Sequence, residues 1–215
     1  MELYHILNRG VEKRNIVTDD SDRLRFIHDL YAFNDRNATP NYILAERLEE
    51  RPRDLLVSIH AFCLMENHYH LIVSPLSDEG ISLFRHKLNM GYAKYFNERH
   101  ERSGVLWQGA YKHVLVDRDA YFNYLPYYVH LNPLDYSFPE WREGNVRDAQ
   151  AALEYLKGYR WSSHLDYLGV RNFPSVIDQH LLGNALGDRL VYEKQIGSLI
   201  RHSDLARDSV RFEAK

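Results

Sequence analysis

Two histidines separated by one residue, His68 and His70, lie inside an apolar stretch, CLMENHYHLIV (63–73). In a β-strand, residues i and i+2 point to the same face, so the two imidazoles would project side by side and Tyr69 would point to the other face. Neighbouring imidazoles can chelate a divalent metal ion. The same pattern also fits an ordinary strand with partly buried histidines, and the pair alone does not distinguish the two interpretations.

A second group of chemically useful residues occurs in YYVHLNP (127–133). Residues four apart share one face of a helix, so Tyr128 and Asn132 would present a phenol and an amide oxygen together. Two imidazole nitrogens and one neutral oxygen, without cysteine, do not resemble a closed structural zinc site. They favour an open Mg²⁺ or Mn²⁺ site that holds a phosphate. The alternatives are an ordinary core tyrosine and a helix-ending asparagine before Pro133.

The elements that must position these residues follow from hydrophobic periodicity and from turn residues. We predict helices over 19–36, 77–100 and 117–133, and strands over 2–10, 55–65, 68–75 and 103–117, the last as a strand or bent hairpin. Pro126 should kink or restart the third helix, and Pro133 should stop it. A polar excursion covers 37–54, with a short helix over 42–50. This order predicts an α+β fold, an antiparallel β-sheet with helices packed on it.

The composition bounds the class of protein. A chain of 215 residues with 45% hydrophobic residues suits one domain, or one domain with a small appendage. The single cysteine, Cys63, excludes an intramolecular disulfide and fits a reducing compartment. The N-terminus does not resemble a signal peptide, and no run approaches the roughly 18 apolar residues of a membrane span. We therefore expect a cytoplasmic protein with no membrane partner.

Charge and aromatic content are compatible with a nucleic-acid partner. The formal net charge is -3, but residues 84–118 carry seven Lys or Arg against three Asp or Glu. A local basic patch and some of the 16 tyrosines could bind phosphates and stack on unpaired bases. Solvated helix charges and an aromatic core would explain the same residues. The candidate DNA contacts are Arg9, Lys87, Lys94, Arg102, Trp107 and Lys112.

Several segments together resemble a known family, the single-tyrosine HUH transposases, and within it the REP-associated tyrosine transposase branch. The resemblance runs from about residue 3 to about residue 170. It is carried, in this order along the chain, by NRGVEKRNIVTDDSDRLRFIHDL, IHAFCLMENHYHLIV, RSGVLWQGAYKHVLV, YVHLNPLDY and YRWSSHLDYLG.

The resemblance implies a fold and a set of roles. It implies the ferredoxin-like HUH endonuclease fold, with a catalytic domain over 1–136 and a helical C-terminal extension over 137–215. His68 and His70 match the metal-binding histidines, Asn132 matches the third metal ligand and Tyr128 matches the nucleophile. Tyr127 lies five residues from Asn132 and therefore off the face that Tyr128 and Asn132 share. The usual aliphatic residue between the histidines is replaced here by Tyr69.

The implied activity is metal-dependent cleavage and rejoining of single-stranded DNA next to a hairpin. The implied cofactor is Mg²⁺ or Mn²⁺, and the intermediate is a 5′-phosphotyrosine. The protein would be a monomer or a homodimer, associated with the nucleoid. The first alternative is a module of the same fold that binds hairpin DNA or RNA without cutting it. The second is an unrelated metal hydrolase, which is disfavoured because the only nearby acidic candidate, Glu66, precedes the strand.

Overall fold

The computed structural model describes residues 2–37, 52–109, 112–117 and 119–201, without the side chains of residues 112, 113, 119 and 120. The middle of the predicted excursion, including the helix predicted over 42–50, therefore lies outside the described residues. The chain divides into two compact units, Met1–Ile59 with Glu66–Leu115, and His60–Met65 with Val116–Lys215. The boundaries of these units differ from the domain boundary after residue 136 that the sequence predicts. That domain boundary stays a prediction.

The first unit is built around an antiparallel sheet. Its elements, with β2 continuing into the second unit, are β1 (Tyr4–Arg9), α1 (Asp20–Ala32), β2 (Val57–Leu64), β3 (His68–Pro75), α2 (Gly80–Arg99) and β4 (Lys112–Leu115). The strand order is β2-β3-β1-β4. The central strand β1 pairs antiparallel with both neighbours, so that Leu7 lies opposite His70 on one side and Lys112 on the other. The predicted α+β fold with an antiparallel sheet is confirmed.

The two helices of this unit cover one face of the sheet. Tyr69 on β3 points to that face, where its hydroxyl donates to Asn89 Oδ1 of α2 at 2.8 Å and its ring packs 5.1 Å from Phe26 of α1. Because side chains alternate along a strand, the residues on either side of Tyr69 point to the opposite face. The tyrosine between the histidines is therefore a core residue, as the sequence predicts.

A buried carboxylate joins the two helices. Asp22, in the first turn of α1, accepts hydrogen bonds from the Thr18 hydroxyl at 2.8 Å and from Arg99 Nη1 at the end of α2 at 2.5 Å. His100 Nε2 lies 2.9 Å from the same carboxylate. Charge-assisted hydrogen bonds of this kind are strong when buried. They fix how α1 and α2 lie on the sheet.

The second unit is helical apart from the end of β2. It contains α3 (Asp119–Leu131), 3₁₀ helices over Asn132–Tyr136 and Pro139–Glu143, α4 (Ala149–Gly158), α5 (His164–Tyr167), α6 (His180–Leu186) and α7 (Arg189–Arg201). The segment after α4 hydrogen-bonds to β2, with Leu64 N donating to Trp161 O at 2.9 Å and Ser163 N donating to Phe62 O at 3.0 Å. No helix in the described part of the chain is long and apolar enough to cross a membrane.

A buried histidine makes the stability of this unit depend on pH. Burial lowers the pKa of His164 from 6.5 to about 4, with Glu193 and Lys157 acting in opposite directions. Between these pH values the unfolded chain binds a proton that the folded chain does not, so stability falls as pH falls through this window. We expect a loss from this one group of about 3 kcal/mol between pH 7 and pH 4.

Urea unfolding at pH 7 and pH 4.5 measures this effect. The loss of unfolding free energy between the two pH values should be smaller in His164→Gln than in the wild type. His86→Gln, which removes an exposed histidine of α2, should keep the wild-type difference. An unchanged pH dependence in His164→Gln would contradict the assignment.

Candidate active site

The first group of candidate residues is a pair of histidines on β3. The ring centroids of His68 and His70 lie 4.9 Å apart with planes at 84°. Both side chains are buried, and the β1–β3 register places His68 opposite Arg9 and His70 opposite Leu7. The predicted arrangement of two imidazoles on one face of a strand is present, on the face opposite to Tyr69.

Hydrogen bonds determine which nitrogen of His68 can bind a metal. Asn67 Nδ2 donates to Lys13 O at 3.3 Å, which orients the amide so that Asn67 Oδ1 lies 2.6 Å from His68 Nδ1. Since Oδ1 only accepts, Nδ1 of His68 carries the proton and the lone pair is on Nε2. This is the neutral form in which imidazole binds a metal ion.

A third histidine orients His70. His5 Nε2 on β1 lies 2.9 Å from His70 Nδ1, and the two rings are stacked with centroids 5.2 Å apart. If His70 Nδ1 donates to His5, the lone pair of His70 is also on Nε2. Metal-bound histidines normally use their second nitrogen in this way. Sequence reasoning missed His5, because a lone histidine in a strand carries no signal until the strand pairing is known.

The second group of candidate residues lies on α3 and the turn that follows it. Tyr124 to Leu134 are all buried, which explains the almost continuous apolar sequence of this segment. The helix runs through Pro126 without restarting and ends at Leu131, shortly before Pro133 as predicted. Tyr128 is 0% exposed on this helix.

Asn132 reaches back toward Tyr128 at the end of α3. Its Nδ2 donates to the main-chain oxygen of Tyr128 at 2.7 Å. Because a carbonyl can only accept, this bond fixes the orientation of the amide and leaves Oδ1 as the free end. Oδ1 is buried and has no hydrogen-bond partner among the described residues. Burying an oxygen without a partner is costly, so Oδ1 is available as a hydrogen-bond acceptor or as a metal ligand.

The chemistry of these donors fits a divalent ion. In the described part of the chain, no group of three or more His, Cys, Asp or Glu side chains could hold a metal. The sequence predicts instead two imidazole nitrogens and an amide oxygen as ligands, from His68, His70 and Asn132, and this set stays a prediction. Imidazole and amide ligands are compatible with an ion that keeps open positions. The structure brings His68 to His70 in the first unit and Asn132 to Tyr128 in the second.

Three residues after α3 hold the Tyr128 ring. Trp141 lies 6.1 Å from that ring, and the guanidinium of Arg142 lies 5.7 Å from it. Asp135 fixes both neighbours, accepting from Trp141 Nε1 at 2.7 Å and from Arg142 Nε and Nη2 at 2.8 and 2.6 Å. Bidentate Arg–carboxylate pairs impose a defined geometry. This cluster could not be predicted from the sequence, since the pattern DYSFPEWR is also typical of a loop.

Of the six candidate DNA contacts, Arg9 is the one that the β1–β3 register places directly opposite His68. It is half-buried at the end of β1 opposite His68, and its Nε has no hydrogen-bond partner among the described residues. Lys94 is exposed on α2 and pairs loosely with Glu98 at 3.8 Å. Arg102 donates to Asn97 Oδ1. Burial and nearby Arg14 lower the pKa of Arg102.

Two of the other candidates, Lys87 and Trp107, already have hydrogen-bond partners within the fold. Lys87 Nζ donates to the main-chain oxygens of Asp35 and Arg36, both at 2.7 Å. Trp107 donates from Nε1 to Asn89 O at 2.8 Å and packs edge-on against the Tyr69 ring at 5.6 Å. These contacts favour structural roles for Lys87 and Trp107. The backbone of Lys112 pairs with Leu7, and its side chain lies outside the described structure.

Comparison with known proteins gives two similarities. A family model described as "Transposase IS200 like" matches residues 3–132, a range that contains both pairs of candidate residues. No curated protein matches the sequence. A solved structure described as "Structure of the REP associates tyrosine transposase bound to a REP hairpin" is 15% identical, with a TM-score of 0.47. The alignment covers 82% of this chain and 87% of that chain.

Proposed function

Since this chain belongs to the family of IS200-like transposases, we propose that it cleaves and rejoins single-stranded DNA through a covalent bond to Tyr128. The observation that carries the proposal is the Asn132 side chain, which is bonded to the Tyr128 main chain by its nitrogen and leaves a buried oxygen unpaired. One residue thus couples the candidate nucleophile to a ligand position. An ordinary helix-ending asparagine has no need of a buried, unpaired oxygen.

His68, His70 and Asn132 are the residues that would hold Mg²⁺ or Mn²⁺. When bound by three neutral ligands, such an ion keeps its double positive charge and stabilises the charge that develops on a phosphate oxygen. His5 and Asn67 orient the two imidazoles through their Nδ1 atoms.

Tyr128 is the proposed nucleophile. Its phenol oxygen attacks the scissile phosphorus, and the phenol loses its proton. The bond between phosphorus and the 3′ oxygen breaks, and that oxygen takes up a proton to become a free 3′-hydroxyl. The product is a 5′-phosphotyrosine, which keeps the bond energy, so a second 3′-hydroxyl can attack it and rejoin the strand.

The proposed substrate is single-stranded DNA flanked by a hairpin. The motifs shared with the REP-associated branch support this choice. Exposed Lys94 and half-buried Arg102 would contribute general phosphate affinity. Arg9 would bind a phosphate next to the scissile one, since it shares a sheet face with His68 and has an unpaired Nε within the described structure.

Substitution of Arg9 tests this contact. Arg9→Gln should weaken hairpin DNA binding by about 10-fold at physiological salt and reduce the slope of log affinity against log salt by about one. Fluorescence anisotropy between 50 and 200 mM salt measures both. Arg23→Gln, which removes a charge on α1 paired with Asp20, is the matched control. Equal salt slopes for Arg9→Gln and the wild type would contradict the phosphate contact.

A second candidate function is hairpin binding without cleavage. It is favoured by the complete burial of Tyr128, whose ring is packed by Trp141 and Arg142. Under this alternative Tyr128 is a core residue, and Asn132 serves only to end the helix. The alternative predicts hairpin affinity that is independent of Mg²⁺ and Mn²⁺ and a complete absence of cut DNA.

A labelled-oligonucleotide assay distinguishes the two functions. The protein is incubated with Mn²⁺ or Mg²⁺ and hairpin oligonucleotides labelled at the 5′ or the 3′ end, then run on a denaturing gel. Our proposal predicts that the 3′-labelled fragment migrates with the protein, that the 5′-labelled fragment is released, and that a chelator prevents both. Shifted DNA on a native gel with no cleaved product would support the binding module.

A further inference from the structure

A chain of buried polar side chains crosses the second unit. Ser163 Oγ lies 2.7 Å from His130 Nε2, His130 Nδ1 lies 2.7 Å from the Tyr192 hydroxyl, and that hydroxyl lies 2.8 Å from His164 Nδ1. All four residues are at most 2% exposed. The proposed reaction uses none of them. They come from three parts of the sequence, namely α3, the region around the start of α5, and α7.

The contact between Ser163 and His130 in this row of side chains is not a second nucleophilic site. Ser163 Oγ also accepts from Phe62 N at 2.9 Å and lies 3.3 Å from Phe62 O. A hydroxyl bound on all sides inside the core cannot reach a substrate. These hydrogen-bonded side chains therefore have a structural or positioning role.

Tyr192 is the central member of the chain. Each neutral imidazole has one N–H and one lone pair, and the hydroxyl has one proton to donate. Tyr192 must therefore donate to one histidine and accept from the other. Both hydrogen bonds are satisfied only while the hydroxyl stays between the two rings. Loss of the hydroxyl would leave two buried imidazole nitrogens without this partner.

Tyr192 contacts α3 at two points that flank Tyr128. Its ring stacks on Tyr127, with centroids 5.7 Å apart and planes at 17°, and its hydroxyl bonds to His130. Tyr127 and His130 are one helical turn apart and share a face. Tyr128 and Asn132 are four residues apart and share another face, and the Tyr128 ring lies near Trp141 and Arg142. One tyrosine of α7 thus fixes both the rotation and the axial position of α3.

We propose that Tyr192 is a positioning residue for the nucleophile, holding α3 so that Tyr128 and Asn132 stand at the correct height and angle for cleavage. This role rests on the proposed function of Tyr128. Displacements of about 1 Å at a reacting group can cost about 100-fold in rate. A residue that fixes the helix can therefore affect the rate strongly without touching DNA.

The test compares two single-hydroxyl deletions in the same unit. Tyr192→Phe keeps the ring stacked on Tyr127 and removes the bonds to His130 and His164. The matched control is Tyr167→Phe, which removes a buried hydroxyl that donates to His60 O at 2.7 Å. Both variants are assayed for folding by near-ultraviolet circular dichroism and for covalent adduct formation with a 3′-labelled hairpin oligonucleotide.

The expected result separates rate from binding. Tyr192→Phe should lower the adduct rate at saturating oligonucleotide by about 10- to 100-fold, with less than a twofold change in the concentration that gives half the maximal rate. Amide hydrogen exchange in α3 should be faster. Tyr167→Phe should lose thermal stability but keep the wild-type rate and the wild-type exchange in α3.

Three outcomes would overturn the role of Tyr192. These are a Tyr192→Phe rate within twofold of wild type, an equal loss of rate in both variants, or unchanged exchange in α3. If Tyr192→Phe does not fold, Ser163→Ala, which removes the bond to the other nitrogen of His130, must slow adduct formation for the proposal to stand. An absence of adduct from the wild type would overturn the proposed function and this role with it. A wild-type adduct with an unimpaired Tyr192→Phe variant would overturn only the role of Tyr192.

Discussion

Replacement of Tyr128 by phenylalanine is expected to abolish the DNA–protein adduct, lowering its rate by more than about 1,000-fold. The ring remains, so its packing against Trp141 and Arg142 is kept, and the main-chain oxygen that binds Asn132 is unaffected. Hairpin affinity should therefore stay within about twofold of wild type. The measurements are a denaturing gel with labelled oligonucleotide and fluorescence anisotropy on the same samples.

The adjacent tyrosine provides the matched control. Tyr127→Phe removes a hydroxyl one residue away on the same helix and keeps the ring that stacks on Tyr192. Its adduct should form at close to the wild-type rate. Loss of the adduct in Tyr127→Phe, together with its retention in Tyr128→Phe, would show that the nucleophile is the other tyrosine and that the pairing of Tyr128 with Asn132 has no chemical meaning.

Removal of either histidine of β3 is the second large effect. His68→Ala and His70→Ala should each lower metal-dependent cleavage by about 100-fold or more, because two remaining ligands cannot hold the ion tightly. Hairpin binding without metal should persist, since neither imidazole is needed to bind phosphates electrostatically. Cleavage rates are measured across a Mn²⁺ titration, with direct Mn²⁺ binding followed by electron paramagnetic resonance.

Two further substitutions are expected to have a smaller effect and no effect on Mn²⁺ affinity. His5→Leu leaves both proposed ligands in place but removes the hydrogen bond to His70 Nδ1, so Mn²⁺ affinity should fall by about 10- to 100-fold. His86→Ala, on the exposed part of α2, should change nothing. Wild-type Mn²⁺ affinity in both His68→Ala and His70→Ala would contradict the metal site.

Much of the fold could be predicted because local patterns and tertiary packing agree. The β2–β3 hairpin has apolar strands separated by a short turn, and α2 carries Phe84, Leu88, Tyr92 and Phe96 on one stripe, all of them buried. The strand before α3 was harder to delimit. Among the described residues of this segment, β4 covers Lys112–Leu115, and Trp107 makes an isolated bridge to Gly10. Strand pairing there depends on β1, which lies about 100 residues earlier in the sequence.

The candidate site residues also fall into two groups, those that local spacing predicts and those that depend on distant parts of the sequence. His68 with His70 and Tyr128 with Asn132 were found from spacing, because two and four residues define a shared face of a strand and of a helix. His5 and Tyr192 could not be found, because their partners, His70 and His130, lie far away in the sequence. Lys87 and Trp107 were predicted as DNA contacts, but the structure shows both bound within the fold. A basic or aromatic residue looks available for DNA until the carbonyls and rings that bind it are known.

Identification of the residue that carries the DNA shows whether Tyr128 is the nucleophile. The adduct formed with a hairpin oligonucleotide and Mn²⁺ is digested with nuclease and trypsin, and the modified peptide is sequenced by tandem mass spectrometry. We predict a nucleotide linked through its 5′-phosphate to Tyr128. Linkage to any other residue, or cleaved DNA with no linked peptide, would contradict the mechanism proposed for this protein.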